Sequence, residues 1–224
     1  MEMRFSKVVI SAALAASLLG CTQDYKSAKE LVDIAVNGLP DIQLSEEERL
    51  ALNFAAVYIK YGEHPKTYIA LAKAQGDERV WAASDGITVV TRNGQIIRSD
   101  GLPFASSGVH YLKQDPFAQG LLSVEENTPY LATRDYISED LFGVTSESSF
   151  TVHETSQAVI AGSERQLQRV SEQLSVPALK FSTTNQYWVE QRNNKQIIWR
   201  TEQQLGPNQP MVFLESLMPF FEDI

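Results

Sequence analysis

Enzyme chemistry needs a nucleophile, an acid–base pair or a metal, and the side chains of this sequence suited to those roles are dispersed. His64, His110 and His153 stand far apart and in no ligand spacing. His153-Glu154 is not followed by a second histidine at the zincin position, so no metal is expected. There is no Gly-x-Ser-x-Gly elbow and no glycine-rich loop of the P-loop or Rossmann type, so no cofactor is expected either. The 28 acidic residues leave room for the carboxylate pair of a glycosidase. Acidic residues scattered through an acidic chain more often wet its surface, and the sequence is read as that of a non-enzyme. Aromatic side chains give a better lead. Trp81, Tyr187, Trp188 and Trp199 fall in stretches that read as strands, and an exposed ring beside polar donors can hold a sugar or a partner. Core packing is the simpler reading of the same four. Tyr187 and Trp188 are adjacent, so on a strand they must point to opposite faces and one core cannot absorb both.

One residue does carry a specified reaction. Arg4 and Lys7 precede the apolar run Val8 to Leu19, which is too short to span a bilayer permanently, and Leu18-Leu19-Gly20-Cys21 closes it. This is a lipobox: cleavage after Gly20 leaves Cys21, the only thiol, to take a diacylglyceryl group. Residues 1–20 are therefore expected to be a signal peptide. Thr22 follows the lipidated cysteine, and Asp24 comes two places too late to act as the usual inner-membrane retention signal, which favours the outer membrane with the domain facing the periplasm. Lipid would be the only anchor, each buried CH₂ contributing about 0.8 kcal/mol. Removal of Glu2, Arg4 and Lys7 takes the formal charge from −9 to −10, which disfavours nucleic acid as a partner.

The elements that would position the aromatics read mainly as β. A helix is expected over Asp24 to Val36, inside a tether of residues 21–44, and a helical turn near Leu44 to Leu50, where Ser45 and Glu48 have capping-box spacing. Strands follow at 54–61, 66–74, 80–84, 87–91 and 95–99. Asn93-Gly94 between the last two is the strongest short-range hairpin signal. Residues 101–133 read as an irregular link with a helical turn near Phe117 to Leu122. Beyond it strands are read at 134–137, 149–154, 158–162, 179–183, 186–191, 196–201 and 211–214. The stretch 167–176 fits a helix or a strand; Pro177 and the neighbouring strands favour strand, with Val170, Leu174 and Val176 on one face. Arg92-Asn93 then Gln95-Ile96-Ile97-Arg98 is echoed by Arg192-Asn193 then Gln196-Ile197-Ile198-Trp199-Arg200, with a turn one residue longer at Asn193-Asn194-Lys195 and a Trp inserted. The expected fold is mainly β, with antiparallel sheets in two related halves, barrel- or sandwich-like. Residues 45–224 form the domain, as one unit or as subdomains 45–102 and 134–224.

Taken together, Tyr61-Gly62, Tyr68-Ile69-Ala70-Leu71, Arg79-Val80-Trp81, Thr91-Arg92-Asn93-Gly94, Asn185-Gln186-Tyr187-Trp188-Val189, Trp199-Arg200-Thr201-x-Gln203 and Gly206-Pro207 carry a resemblance to the group 4 capsule polysaccharide lipoproteins, the GfcB/YjbF family. The turn at Asn193-Asn194-Lys195 departs from the family pattern. The resemblance implies a mainly antiparallel β fold and an outer-membrane lipoprotein tied to exopolysaccharide or capsule production, in which a non-enzymatic accessory role is the preferred reading. It further implies proximity to an outer-membrane β-barrel protein, to periplasmic proteins of a polysaccharide locus and to polysaccharide itself. It carries no catalytic residues. The competing expectations are a polysaccharide-modifying enzyme with an unrecognised carboxylate site, and a purely structural envelope lipoprotein.

Overall fold

The computed structural model describes residues 39–84, 86–102, 106–126, 128–193 and 195–224. The lipobox with Gly20 and Cys21, and the helix expected over Asp24 to Val36, lie outside the described residues. Residues Ile42–Ile224 form one compact unit. The first element is the short helix α1 (Glu46–Leu50), held by a full capping box in which Ser45 Oγ accepts from Glu48 N and the Glu48 carboxylate accepts from Ser45 N.

Twelve strands then follow one another as an antiparallel meander: β1 (Ala56–Tyr61), β2 (Thr67–Gln75), β3 (Glu78–Ala82), β4 (Thr88–Arg92), β5 (Gln95–Asp100), β6 (Ser106–Tyr111), β7 (Tyr130–Tyr136), β8 (Leu141–Ile160), β9 (Ser163–Val176), β10 (Phe181–Arg192), β11 (Lys195–Gln204) and β12 (Met211–Met218). Each pairs with its neighbours in sequence, and β12 pairs back onto β1 to close a barrel. Closure removes the sheet edges that would otherwise invite pairing with other chains. Between β6 and β7 sits the helix α2 (Pro116–Gln119), capped by Asp115 and followed by the 3₁₀ turn Leu121–Ser123.

Several sequence expectations are revised by this topology. The supposed link at 101–133 supplies β6 and the start of β7, so the two halves share one barrel and are not separate subdomains. The stretches 149–154 and 158–160 belong to the single strand β8, interrupted by an irregularity between Val152 and Thr155, and residues 161–162 are its turn into β9. Residues 179–191 likewise resolve into a 3₁₀ turn, Pro177–Leu179, and the continuous strand β10. The ambiguous 167–176 is strand, within β9.

A barrel of twelve strands encloses a wide lumen unless something fills it. Two things fill this one. Phe117 of α2 and Leu121 pack on Phe150, Val170, Tyr187 and Val189, with Phe117 edge-on to Phe150 at 5.9 Å and to Tyr187 at 5.1 Å. The opposite walls also touch. Gln203 on β11 accepts from Ile96 N of β5 (3.1 Å) and donates to Gly94 O (3.2 Å). A second apolar cluster, including Ile59, Ile69, Trp81, Val89, Ile96, Val212 and Leu214, joins β1–β5 to β12.

Both hairpins seen in the sequence form, six strands apart in the barrel order. Both carry a bulge on their second strand immediately before an arginine: Ile97 before Arg98, and Trp199 before Arg200. Beyond the bulge, β4–β5 has two ladder pairs and β10–β11 has four, ending at Arg192 opposite Lys195. Lys195 therefore belongs to the ladder, and the added length of the second hairpin is in its strands and not in its turn. Asn93 (φ 47°) and Gly94 (φ 80°) have the left-handed conformation that a type I′ turn requires.

Candidate functional site

Three polar assemblies are candidates, and they differ in how much of their chemistry is already used. The deepest surrounds Glu172 on β9, which is 0% exposed. Its carboxylate accepts from Ser148 Oγ (2.6 Å), Asn185 Nδ2 (2.9 Å) and Tyr187 OH (2.7 Å), and Arg134 Nη2 lies 3.8 Å away. Arg134 Nε in turn donates to Ser146 Oγ, and Asn185 Oδ1 accepts from Gln204 N. Burial pushes the Tyr187 phenol well above its ordinary range, and the Glu172 charge adds to the push. The Tyr111 phenol is raised for the same two reasons. This network is closed on itself: it fixes β7, β8, β9 and β10 in register and presents nothing to a ligand.

The second assembly surrounds Trp199. Its indole donates to Glu190 Oε2 at 2.6 Å, the Arg165 guanidinium lies 3.6 Å over its ring, and Arg165 pairs with Glu190 at 3.6 Å. Burial lowers the pKa of Arg165 from its ordinary value. Beside it, Arg200 pairs with Glu215 and lies over the half-buried Trp188 ring at 5.3 Å.

The third is a cavity of about 500 Å³. Arg79, Trp81 and Thr91 line it from β3 and β4, Asn93 and Gly94 from the first hairpin turn, and Phe117 to Leu121 from α2 and the turn after it. Gln191 and Lys195 to Thr201 line it from the second hairpin, and Pro219, Phe220, Glu222 and Asp223 from the segment after β12. The two hairpins legible in the sequence thus converge on one space. Its side chains offer guanidinium, ammonium, amide and hydroxyl donors together with carboxylates and two indoles, a lining that suits a polar ligand better than an apolar one.

Of the four aromatic contact candidates, Tyr187 is 0% exposed with its hydroxyl spent on Glu172, so it is core and not a contact. Trp199 is buried beneath Arg165. Trp81 is buried too, with Nε1 donating to Thr91 Oγ1 at 2.9 Å, and like Trp199 it borders the cavity. Trp188 alone is partly open on the outer face. Tyr187 and Trp188 do point to opposite faces, as strand geometry requires. The histidines are separate: His64 stacks on Tyr61 at 4.2 Å and His153 Nε2 meets Ser171 Oγ at 2.7 Å. Among the described residues no group of His, Cys, Asp or Glu is arranged to hold a metal.

Sequence reasoning missed Glu172, Arg79 and Gln203. The signal for Glu172 was present: on a strand whose inner face holds Val170, Leu174 and Val176, residue 172 has the same phase and must be inside. Arg79 carried no such signal, because its role depends on the segment after β12 folding back more than a hundred residues later.

Comparison with known proteins decides the family. A sequence model of the group 4 capsule polysaccharide lipoprotein family, GfcB and YjbF, matches residues 29–217. The chain belongs to that family. It is 22% identical to the uncharacterized lipoprotein GfcB of Escherichia coli (strain K12) over 214 residues, covering 94% of this chain and 98% of that protein. It is 21% identical to the uncharacterized lipoprotein YjbF of the same organism over 194 residues, 84% of this chain and 87% of the relative. The fold matches the crystal structure of the hypothetical lipoprotein YmcC from Escherichia coli (K12) with a TM-score of 0.69, at 20% identity, over 80% of this chain and 90% of that one.

Proposed function

We propose that this lipoprotein is a non-enzymatic accessory factor in exopolysaccharide or capsule production, lipid-anchored at Cys21 to the outer membrane with its barrel in the periplasm. It works by binding, either to polysaccharide or to protein partners of the export apparatus such as an outer-membrane β-barrel protein. The observation that carries this reading is the commitment of the buried acid. Glu172 has both carboxylate oxygens taken by donors and an arginine beside it, which is how a carboxylate is used to hold a fold together and not to cleave a bond. The outer wall supports a water-facing barrel as well: Glu147 on β8 and Arg169 and Gln173 on β9 are exposed, where a lipid-facing strand would carry apolar side chains.

Deletion of the gene tests the proposal. An accessory factor lowers the amount of exported polysaccharide and leaves the repeat unit unchanged in linkage and substituents. A repeat unit with altered linkages or lost substituents in the deletion strain would instead make this chain a modifying enzyme, and unchanged output would remove it from the process. Cys21→Ser should then lower output at equal protein level by losing the anchor.

A further inference from the structure

Arg79 is 9% exposed, and its guanidinium is held before any ligand arrives. Nη1 donates to Gly76 O at 2.7 Å and to Glu78 O at 2.8 Å, both in its own β2–β3 hairpin. That leaves one bidentate edge, Nε and Nη2, and Asp223 fills it with contacts of 3.1 and 2.5 Å. A planar guanidinium edge matches a carboxylate in two parallel hydrogen bonds, and a buried one left without an acceptor is costly.

The group that fills it is far less firmly held than the arginine. Asp223 lies in segment 219–224, after the last strand, and its side chain is 38% exposed. Beyond that ion pair, the segment is tied by Phe220 under the Arg79 guanidinium, at 5.0 Å, and by Lys195 Nζ donating to Glu222 O at 2.9 Å. Phe221 is 72% exposed. Segment 219–224 also forms part of the wall of the 500 Å³ cavity, so moving it widens the cavity and frees the arginine edge and the Lys195 ammonium together.

From this geometry we infer that Asp223 is a built-in stand-in for an acidic ligand, and that the cavity binds a saccharide carrying a carboxylate, a uronate, in competition with segment 219–224. This rests on the proposed role in polysaccharide production and names the ligand class for it. The uronate carboxylate takes the Arg79 edge. Around it, the hydroxyls of Thr91 and Thr201 accept from Trp81 Nε1 and Gln203 Nε2 and keep their own protons to donate to ring hydroxyls. The Gln191 amide keeps its oxygen, and a cavity of this size holds a few sugar rings. A peptide carboxylate would meet the same edge. The polar wall beyond the edge favours the sugar.

Titration calorimetry on the detergent-solubilised full chain tests this with three probes. They are a tetrasaccharide alternating glucuronate and N-acetylglucosamine, the neutral chitotetraose, and the peptide Pro-Phe-Phe-Glu-Asp-Ile. The acidic tetrasaccharide should bind, and Asp223→Asn should bind it about fivefold more tightly, the size expected when a partly exposed intramolecular ion pair stops competing. Arg79→Gln should lose the acidic probe, while Arg79→Lys should recover part of the binding. Chitotetraose should bind at least tenfold more weakly than the acidic probe. Equal affinity in wild type and Asp223→Asn overturns the competition. Equal affinity for the acidic and neutral probes overturns the uronate assignment. Binding of the peptide but not of the saccharide makes this a peptide site and ends the proposal. Because the titration reads the purified chain, its failure alongside lost polysaccharide output in the deletion strain would refute this inference alone.

Discussion

The two hairpins start from nearly the same words and end in different surroundings. Each has an Asn with positive φ at its turn and a bulge just before an arginine on its second strand. The first is short, and its turn lies against the opposite wall: a Cβ on Gly94 would come within 2.7 Å of Ile198. The second runs two ladder pairs further, and its turn residue Asn193 is exposed. Their inner faces diverge as well. Around β4 the interior is an apolar cluster edged by the Trp81–Thr91 bond and by Arg79 opposite Thr91, whereas β10 brings Asn185 and Tyr187 to a buried carboxylate. One supersecondary unit can therefore line the cavity on both sides while its two copies meet different buried charges, Arg79 of β3 beside the first and Glu172 of β9 beside the second.

The strongest way to break this contrast is Glu172→Ala. It strands Arg134 in the interior and should cost ~3–5 kcal/mol, read as a lower urea midpoint. The matching change on the outer wall, Glu190→Ala, removes a partner of the partly exposed Arg165 and the acceptor of the Trp199 indole, and should cost about 1–2 kcal/mol. Equal losses would mean that the interior network is not the special one.

Next in size is the turn pair. Gly94→Ala meets both a positive φ and the Ile198 side chain, and should cost about 1–3 kcal/mol. Trimming the neighbour by Ile198→Ala in the same chain should make the two losses less than additive. Asn193→Ala, at an exposed turn, should cost less than about 1 kcal/mol. If the two turns proved equally sensitive, the close approach of the first hairpin to β11 would be wrong.

The smallest effect is a slope. Burial holds the Tyr187 phenol in its neutral form well above the ordinary value. Its contribution is therefore complete below the unfolded phenol value of about 10 and is lost as pH rises towards the folded value. Urea midpoints measured from pH 9 to 11 should fall more steeply in the wild type than in Tyr187→Phe. Parallel curves would refute the assignment.

How much of this was legible in the sequence follows from the range of the interactions involved. Asn93-Gly94, the Ser45–Glu48 box and the alternation across Tyr187 and Trp188 are local rules, and they hold in the fold. The bulge at Trp199 is invisible to alternation, because one extra residue shifts the phase of everything beyond it. That is why Trp199 ended beneath Arg165 and Ile198 inside. Strand β6 was missed because Ser106-Ser107-Gly108 reads as loop, yet closure of the barrel pairs it regardless of propensity. The cavity was least legible. It is made where two hairpins, an interior helix and the segment after β12 meet, and no single stretch records that meeting.

On the proposed function, the protein works through its cavity and not through its outer wall. The direct measurement is exported polysaccharide from a deletion strain complemented, at equal protein level, with Arg79→Gln or with Glu190→Gln. Arg79→Gln should lower output towards that of the deletion, with the repeat unit unchanged, while Glu190→Gln should restore output to the wild-type amount. Restored output with Arg79→Gln and lost output with Glu190→Gln would contradict the claim and move the working surface to the outer cluster of Arg165, Trp188 and Glu190.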